Sequence, residues 1–214
     1  MTRPPSATRE RLIETARDLF HQQGYTPTGI AQILKKSGVN SGSLYYFFPT
    51  KEDLLIAVLE WYRDNIKGAL LDLHTGHLDD PIEKVFGLLD GYRQMLLICE
   101  FELGCPIGGL ALELANSHPA ARSLILVNFE QWVDSVEGFL RDAEDRFAEG
   151  LDLRSLAVHI LTTMEGGMMV ARTYRSTTPF DSTVTHLRAY VDMLLASGSE
   201  WAAPKRIPAL EDSL

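Results

Sequence analysis

Residues 28–51 read TGIAQILKKSGVNSGSLYYFFPTK, and their apolar spacing decides the fold. Ile30, Ile33 and Leu34 recur at helical intervals, so a first short helix has one apolar face. Ser37-Gly38 ends it, because glycine readily takes the left-handed backbone angles of a helix exit. Val39 returns to the core, and Asn40 or Ser41 can cap a second helix. Leu44 and Phe48 give that helix a buried i, i+4 pair. Ser41, Gly42, Ser43, Tyr45, Tyr46 and Phe47 are left facing outward, small at the start and aromatic at the end. Pro49 closes the helix and Thr50 can cap the next. Two short helices joined by a tight turn, the second with a small and aromatic outer face, fit a DNA groove. Small residues near a helix N-terminus allow close approach to base edges, and tyrosine hydroxyls suit phosphate oxygens.

The charge distribution agrees with this reading. The 214-residue chain has a net charge of −9. Residues 1–51 nevertheless hold seven Lys/Arg against three acids, so the excess negative charge lies in the rest of the chain. A basic head on an acidic body points to nucleic acid as the head's partner. No apolar run approaches a membrane span, and MTRPPSATRER lacks the apolar centre of a signal peptide, so a cytoplasmic protein with no membrane partner is expected. Cys99 and Cys105 are too few for a disulfide scaffold.

The remaining chain reads as helix throughout. Residues 1–7, with their Pro, Ser and Thr, read as a mobile lead-in. A first helix carries Leu12, Ile13, Ala16, Leu19 and Phe20 on one stripe and ends at Gly24. Its Arg9 and Arg11 are either phosphate contacts or plain solvated charges. A fourth helix runs from Lys51 to about His74, with Thr50-x-x-Asp53 resembling a capping box. Further helices are expected from Pro81 to Cys99, Ile107 to Asn116, Pro119 to Glu149, Asp152 to Tyr174 and Asp181 to Ala196. The fold class is all-α with about nine helices. A three-helix head occupies residues 1–50, a larger helical body 51–198 and a loose tail 199–214.

The motifs G-Y-x-x-T and G-V-N-S-G-S-L-Y-Y-F-F-P-T-K-E-x-L resemble the helix-turn-helix of the TetR family of bacterial transcriptional repressors over roughly residues 8–60. The resemblance implies that Thr28, Tyr45 and Lys51 hold phosphates, while Ser41, Ser43 and Tyr46 read the major groove. Asn40 stands where serine is usual and still caps, and Phe47 replaces a usual histidine, removing a polar phosphate contact. The partners implied are palindromic double-stranded operator DNA, a small-molecule inducer and a second copy of the chain. In the family the last two long helices form a four-helix dimer contact, here with Gly167, Tyr174, Leu187, Tyr190, Val191 and Leu194. Gly166-Gly167 inside a helix costs roughly 1 kcal/mol per glycine against alanine, which signals close approach of another backbone from the same or a second chain.

A regulator of this kind needs a second site whose ligand favours the state that cannot bind DNA. Candidate lining residues are Met95, Cys99, Phe101, Cys105, Phe129, Trp132, Met164 and Met168, with Glu100, Glu102, Glu113 and Glu165 nearby. Such stripes are more often plain core; as a cavity they suit flat, hydrophobic and cationic compounds. GCPIGGLALELA is similar to a segment of the drug- and electrophile-responsive subgroup, which makes Cys105 either a reactive thiol at a helix N-terminus or a buried structural one. No cofactor or metal is expected. His74-x-x-His77 with Asp79 and Asp80 reads as a solvated cluster, and neither a phosphate loop nor a nucleophile elbow supports an enzyme.

Overall fold

The computed structural model describes residues 5–66 and 71–197, and every regular element among them is helical. The α-helices are α1 (Pro5–Gln23), α2 (Ile30–Ser37), α3 (Ser41–Phe47), α4 (Lys51–Ile66), α5 (Leu73–Thr75), α6 (Pro81–Ile98), α7 (Pro106–Leu114), α8 (Pro119–Arg141), α9 (Leu153–Tyr174) and α10 (Thr178–Ser197). The all-α expectation holds, with ten helices rather than nine among the described residues. The tenth is α5: the run expected from Lys51 to His74 crosses residues 67–70, which lie outside the described residues, as do 1–4 and the tail 199–214.

Local signals fix the helix ends. Gly38 takes φ 64° and its N–H returns to Leu34 O. Asn40 is the cap of α3, its side chain accepting from Ser43 N at 2.8 Å. Thr50 and Asp53 cap each other reciprocally, Thr50 N donating to Asp53 Oδ2 at 2.8 Å and Asp53 N to Thr50 Oγ1 at 3.1 Å. Asp80 accepts from Ile82 N and Glu83 N, and Asp152 from Ser155 N. Several boundaries differ from expectation; α10 begins at Thr178 rather than Asp181, and α7 ends at Leu114 rather than Asn116. α1 begins at Pro5 instead of after a mobile lead-in, since proline in the first turn gives up no hydrogen bond. α8 stops at Arg141 rather than Glu149; the chain turns through Glu144–Arg146 and still buries Phe147. Arg146 holds that turn to Asp80 at 2.7 Å.

Two apolar clusters organise the molecule. One joins Leu12, Phe20, Ile33, Leu44 and Phe48 of the first three helices to Leu54 and Leu59 of α4, then to Leu110 of α7 and Ile125 of α8. The other lies among α6, α8, α9 and α10. Gly167, Leu187, Val191 and Leu194, expected at a contact between copies, face this second cluster and are buried within their own chain. Gly167 is the reason α9 and α10 lie close: a Cβ there would stand 3.0 Å from the Phe180 ring. Of the six residues expected at a dimer contact, Tyr174 is exposed and Tyr190 half-buried, its ring edge-on to His159 at 5.8 Å.

Candidate functional site

The outer face of α3 is built by what lies beneath it. Leu44 and Phe48 anchor the helix in the core, which leaves Ser41, Gly42, Tyr45 and Tyr46 outermost and Ser43 half-buried. Tyr46 is 79% exposed, the most exposed aromatic on this helix. Phe47, expected on the outer face, is half-buried and packs on the core, edge-on to Tyr46 at 5.0 Å. Thr28 also differs from expectation. It is fully buried, and its hydroxyl donates to Gly24 O at 2.7 Å while accepting from Gln23 Nε2 at 3.0 Å. Its side chain shapes the turn before α2 and is not presented to solvent.

Lys51 lies over the Tyr25 ring, 4.1 Å from its centroid, and donates to Tyr25 O at 2.6 Å. Burial lowers its pKa from the ordinary lysine value. The same turn is held from the body. Glu113, at the far end of α7, accepts from Tyr25 N at 2.9 Å and Thr26 N at 2.5 Å. Burial alone would raise the Glu113 pKa, but these hydrogen bonds and the Lys51 charge hold it below the usual range. His118 stands edge-on to Tyr25 at 5.3 Å, and His21 meets Gly104 O at 2.7 Å. None of these contacts is legible from spacing, because they join residues at least 26 positions apart, and Tyr25 to Glu113 88 apart. Replacing Glu113 by alanine should therefore free the turn: amide exchange at Tyr25 and Thr26 should accelerate about tenfold, as fits loss of hydrogen bonds to a charged acceptor. Unchanged exchange there would rule out the clamp.

The near end of α7 borders a cavity of about 310 Å³ between α7 and α9. Gly108, Gly109 and Leu112 line it from α7, Phe129 from α8, and Glu165, Met168, Met169 and Arg172 from α9. A smaller cavity of about 30 Å³ adjoins it, sharing Cys105, Phe129 and Glu165 and adding Trp132 and Met164. Cys105, Phe129, Trp132, Met164 and Met168 from the expected lining thus meet here, whereas Met95, Cys99 and Phe101 border neither cavity. Trp132 Nε1 donates to the Tyr92 hydroxyl at 2.9 Å, which fixes that wall. Of the four glutamates, Glu100 and Glu102 belong to a surface turn held by Arg175, and Glu113 clamps the head.

Glu165 is the cavity's polar feature. Gly108 makes room for it, since a Cβ there would collide with Glu165 Oε2. Its Oε1 is buried without a hydrogen-bond partner among the described residues, and burial raises its pKa above the usual carboxylate range. Cys105 caps α7, accepting from Gly108 N at 3.4 Å. Burial and then the neighbouring Glu165 push its thiol well above the usual range, outweighing the helix terminus. The thiolate that a reactive sensor requires is disfavoured.

An acid whose pKa is raised by folding costs stability once it ionises. The unfolded Glu165 ionises near its ordinary value of 4.5, the folded one only higher, so stability falls as pH rises across that interval. Glu165→Gln should remove this decline and raise the melting temperature at neutral pH by about 2–4 °C, the size of a change near 1 kcal/mol. Thermal melts from pH 4 to 8 that keep the same slope in the variant would refute it.

A solvent-facing second helix of a helix-turn-helix, joined by a rigid helix to an internal cavity, defines a DNA-binding regulator. Residues 12–58 match the model described as bacterial regulatory proteins, tetR family, and residues 81–186 match the C-terminal domain of LmrA/YxaF-like transcriptional regulators. An uncharacterized HTH-type transcriptional regulator of Mycobacterium tuberculosis is 30% identical over 197 residues, covering 88% of this chain and 94% of its own. The regulator YxaF of Bacillus subtilis is 34% identical over 174 residues, covering 80% and 88% respectively. A TetR regulator structure from Chloroflexus aurantiacus superposes with TM-score 0.78 at 26% identity, over 88% of this chain and 96% of that one. The chain belongs to the TetR family. It is a transcriptional regulator and not an enzyme; proteins of this family bind operator DNA and typically act as dimers. Among the described residues no helix is long and apolar enough to cross a membrane.

Proposed function

We propose that this chain is a homodimeric repressor released from a palindromic operator by a hydrophobic small molecule held in the cavity between α7 and α9. The proposed division is a DNA head at residues 1–50, a ligand and dimer body at 51–198 and a tail at 199–214. In the head, Ser41, Ser43 and Tyr46 read bases with Gly42 giving clearance, Asn40 fixes the helix start, and Tyr45 and Lys51 hold phosphates. An ammonium has three donors, and Lys51 directs two at Tyr25 O and Thr26 O, leaving one for the backbone of DNA. Thr28 and Phe47 act by positioning the turn and the end of α3. An unpartnered carboxyl oxygen in an apolar wall favours ligands that bring a cation or an N–H or O–H donor.

The observation that carries this reading is the span of α7. Its first turn walls the cavity through Gly108 and Gly109, and its last holds the head through Glu113. Nine residues of helix make a rod of roughly 13 Å. A ligand that shifts the near end moves the far end with it, and the Tyr25–Thr26 turn follows. Dimeric heads must stay roughly 34–36 Å apart to meet successive major grooves, so a small displacement at each turn is enough to lose the operator.

The test is titration of the full chain against its own upstream DNA at two salt concentrations, with a panel of hydrophobic cations and neutral aromatics, while following Trp132 fluorescence. Specific binding that weakens steeply with salt, and that is abolished by a compound perturbing Trp132, is expected. Specific binding untouched by every compound that enters the cavity would leave the regulator and remove the inducer.

A further inference from the structure

Among the described residues nothing closes the outer side of the cavity. Its rim is formed by Leu112, 82% exposed, and Met169, 55% exposed, with Gly109 and Gly166 between them. A Cβ on either glycine would find nothing within 4 Å. Large apolar side chains standing at an open mouth beside bare backbone are unfavourable in water.

The rim continues into a longer surface. Along α9, Ser155, Val158, Thr162, Gly166, Val170 and Thr173 recur at three- and four-residue spacing and face outward. Five turns of helix thus present small, hydroxyl-bearing or apolar groups together with the exposed imidazole of His159. Ser182, His186 and Ala189 carry the same pattern on the neighbouring α10. Charged groups flank this surface and are paired: Arg154 with Glu130, Asp134 and Glu137, Arg188 with Glu83 and Asp192, and Arg172, beside the cavity, donating to Glu102 O. An uncharged two-helix face with a glycine midway suits a self-complementary contact about a two-fold axis, where the same patch meets itself.

We infer that the second copy of this chain forms the outer wall of the ligand cavity, covering the mouth between Leu112 and Met169. The inference rests on the homodimer proposed above, and it makes the site incomplete in a single protomer. Gly166 sits midway along the stripe and on the cavity rim, so a partner's α9 seated on the stripe would cross the mouth. Ligand binding and dimerisation are then linked: a bound molecule is fully buried only in the dimer, and each equilibrium strengthens the other.

The experiment introduces a thiol by Leu112→Cys in the full chain and follows its labelling by a fluorescent maleimide. The unsubstituted chain reports the background from Cys99 and Cys105. Light scattering gives the assembly state in parallel, and Val170→Glu supplies a monomer by placing a charge in the stripe. The introduced thiol should label at least tenfold more slowly in the dimer than in the Val170→Glu monomer. A dimer in which it labels as fast as in the monomer overturns the lid and leaves the homodimer standing. A Val170→Glu chain that stays dimeric puts the two-fold contact elsewhere and overturns the lid as well. A monomeric parent chain removes the homodimer itself and the inference with it.

Discussion

Tyr46→Ala is expected to lower affinity for the operator about 10- to 100-fold, while changing affinity for unrelated DNA by no more than about threefold. The side chain stands 79% exposed on α3, with one edge contact to Phe47, so its removal takes little from the fold and the melting temperature should stay within about 2 °C. Gly42 lies one turn earlier on the same face, and helical side chains lean toward the N-terminus, so Tyr46 leans over bare backbone toward Ser41 and Ser43, the positions proposed to read bases. A good base contact contributes about 1–3 kcal/mol of discrimination, which sets the size of the effect. Tyr45→Ala should behave in the opposite way, weakening all sequences alike and reducing the salt slope by about one ion. Competition binding with operator and scrambled duplexes separates the two. Equal losses on both duplexes for Tyr46→Ala would make it another backbone contact.

The helix-turn-helix was legible because its instructions are local. Gly38, Asn40, Thr50 and Asp53 each act on groups within four residues, and Leu44 with Phe48 states which side is inward. The end of α8 was not legible, since Ala143 and Phe147 continue the i, i+4 pattern whether or not the helix does, and both are buried. The same ambiguity misplaced Leu187, Val191 and Leu194. An apolar stripe shows that a face is covered but not which chain covers it, and here it is α9 and α6 of the same chain. The cavity was half legible: Phe129, Trp132 and the methionines mark soft walls, but Glu165 gains its meaning from Gly108 and Cys105, about sixty residues away. Glu113 had no local signal. Its partners are backbone N–H groups, which every residue but proline carries.

The two adjacent glycines of α9 should respond oppositely to the same substitution. Gly167→Leu places its first carbon 3.0 Å from a Phe180 ring carbon and 3.7 Å from Thr183 Cγ2, with three more carbons to accommodate. Phe180 is only 1% exposed and cannot retreat, so α10 must shift away from α9. Overpacking of this kind costs about 2–3 kcal/mol even after the helix-propensity gain of losing a glycine, and the melting temperature should fall by roughly 4–12 °C. The first carbon of Gly166→Leu meets no atom within 4 Å among the described residues, so the protomer should be as stable as the parent or slightly more so. Its cost should appear in the dimer. A two-fold contact takes the substitution twice, and two clashes of about 1–3 kcal/mol each correspond to a dissociation constant raised by roughly thirtyfold to roughly twenty-thousandfold. Calorimetry on dilute protein reads the first quantity and sedimentation across a concentration series the second. Loss of protomer stability from Gly166→Leu would place that residue in the chain's own core, and an unchanged dimer would take the two-fold axis away from the uncharged face of α9. The glycine pair thus divides by direction, Gly167 admitting Phe180 of the same chain and Gly166 facing the surface proposed to meet a second copy.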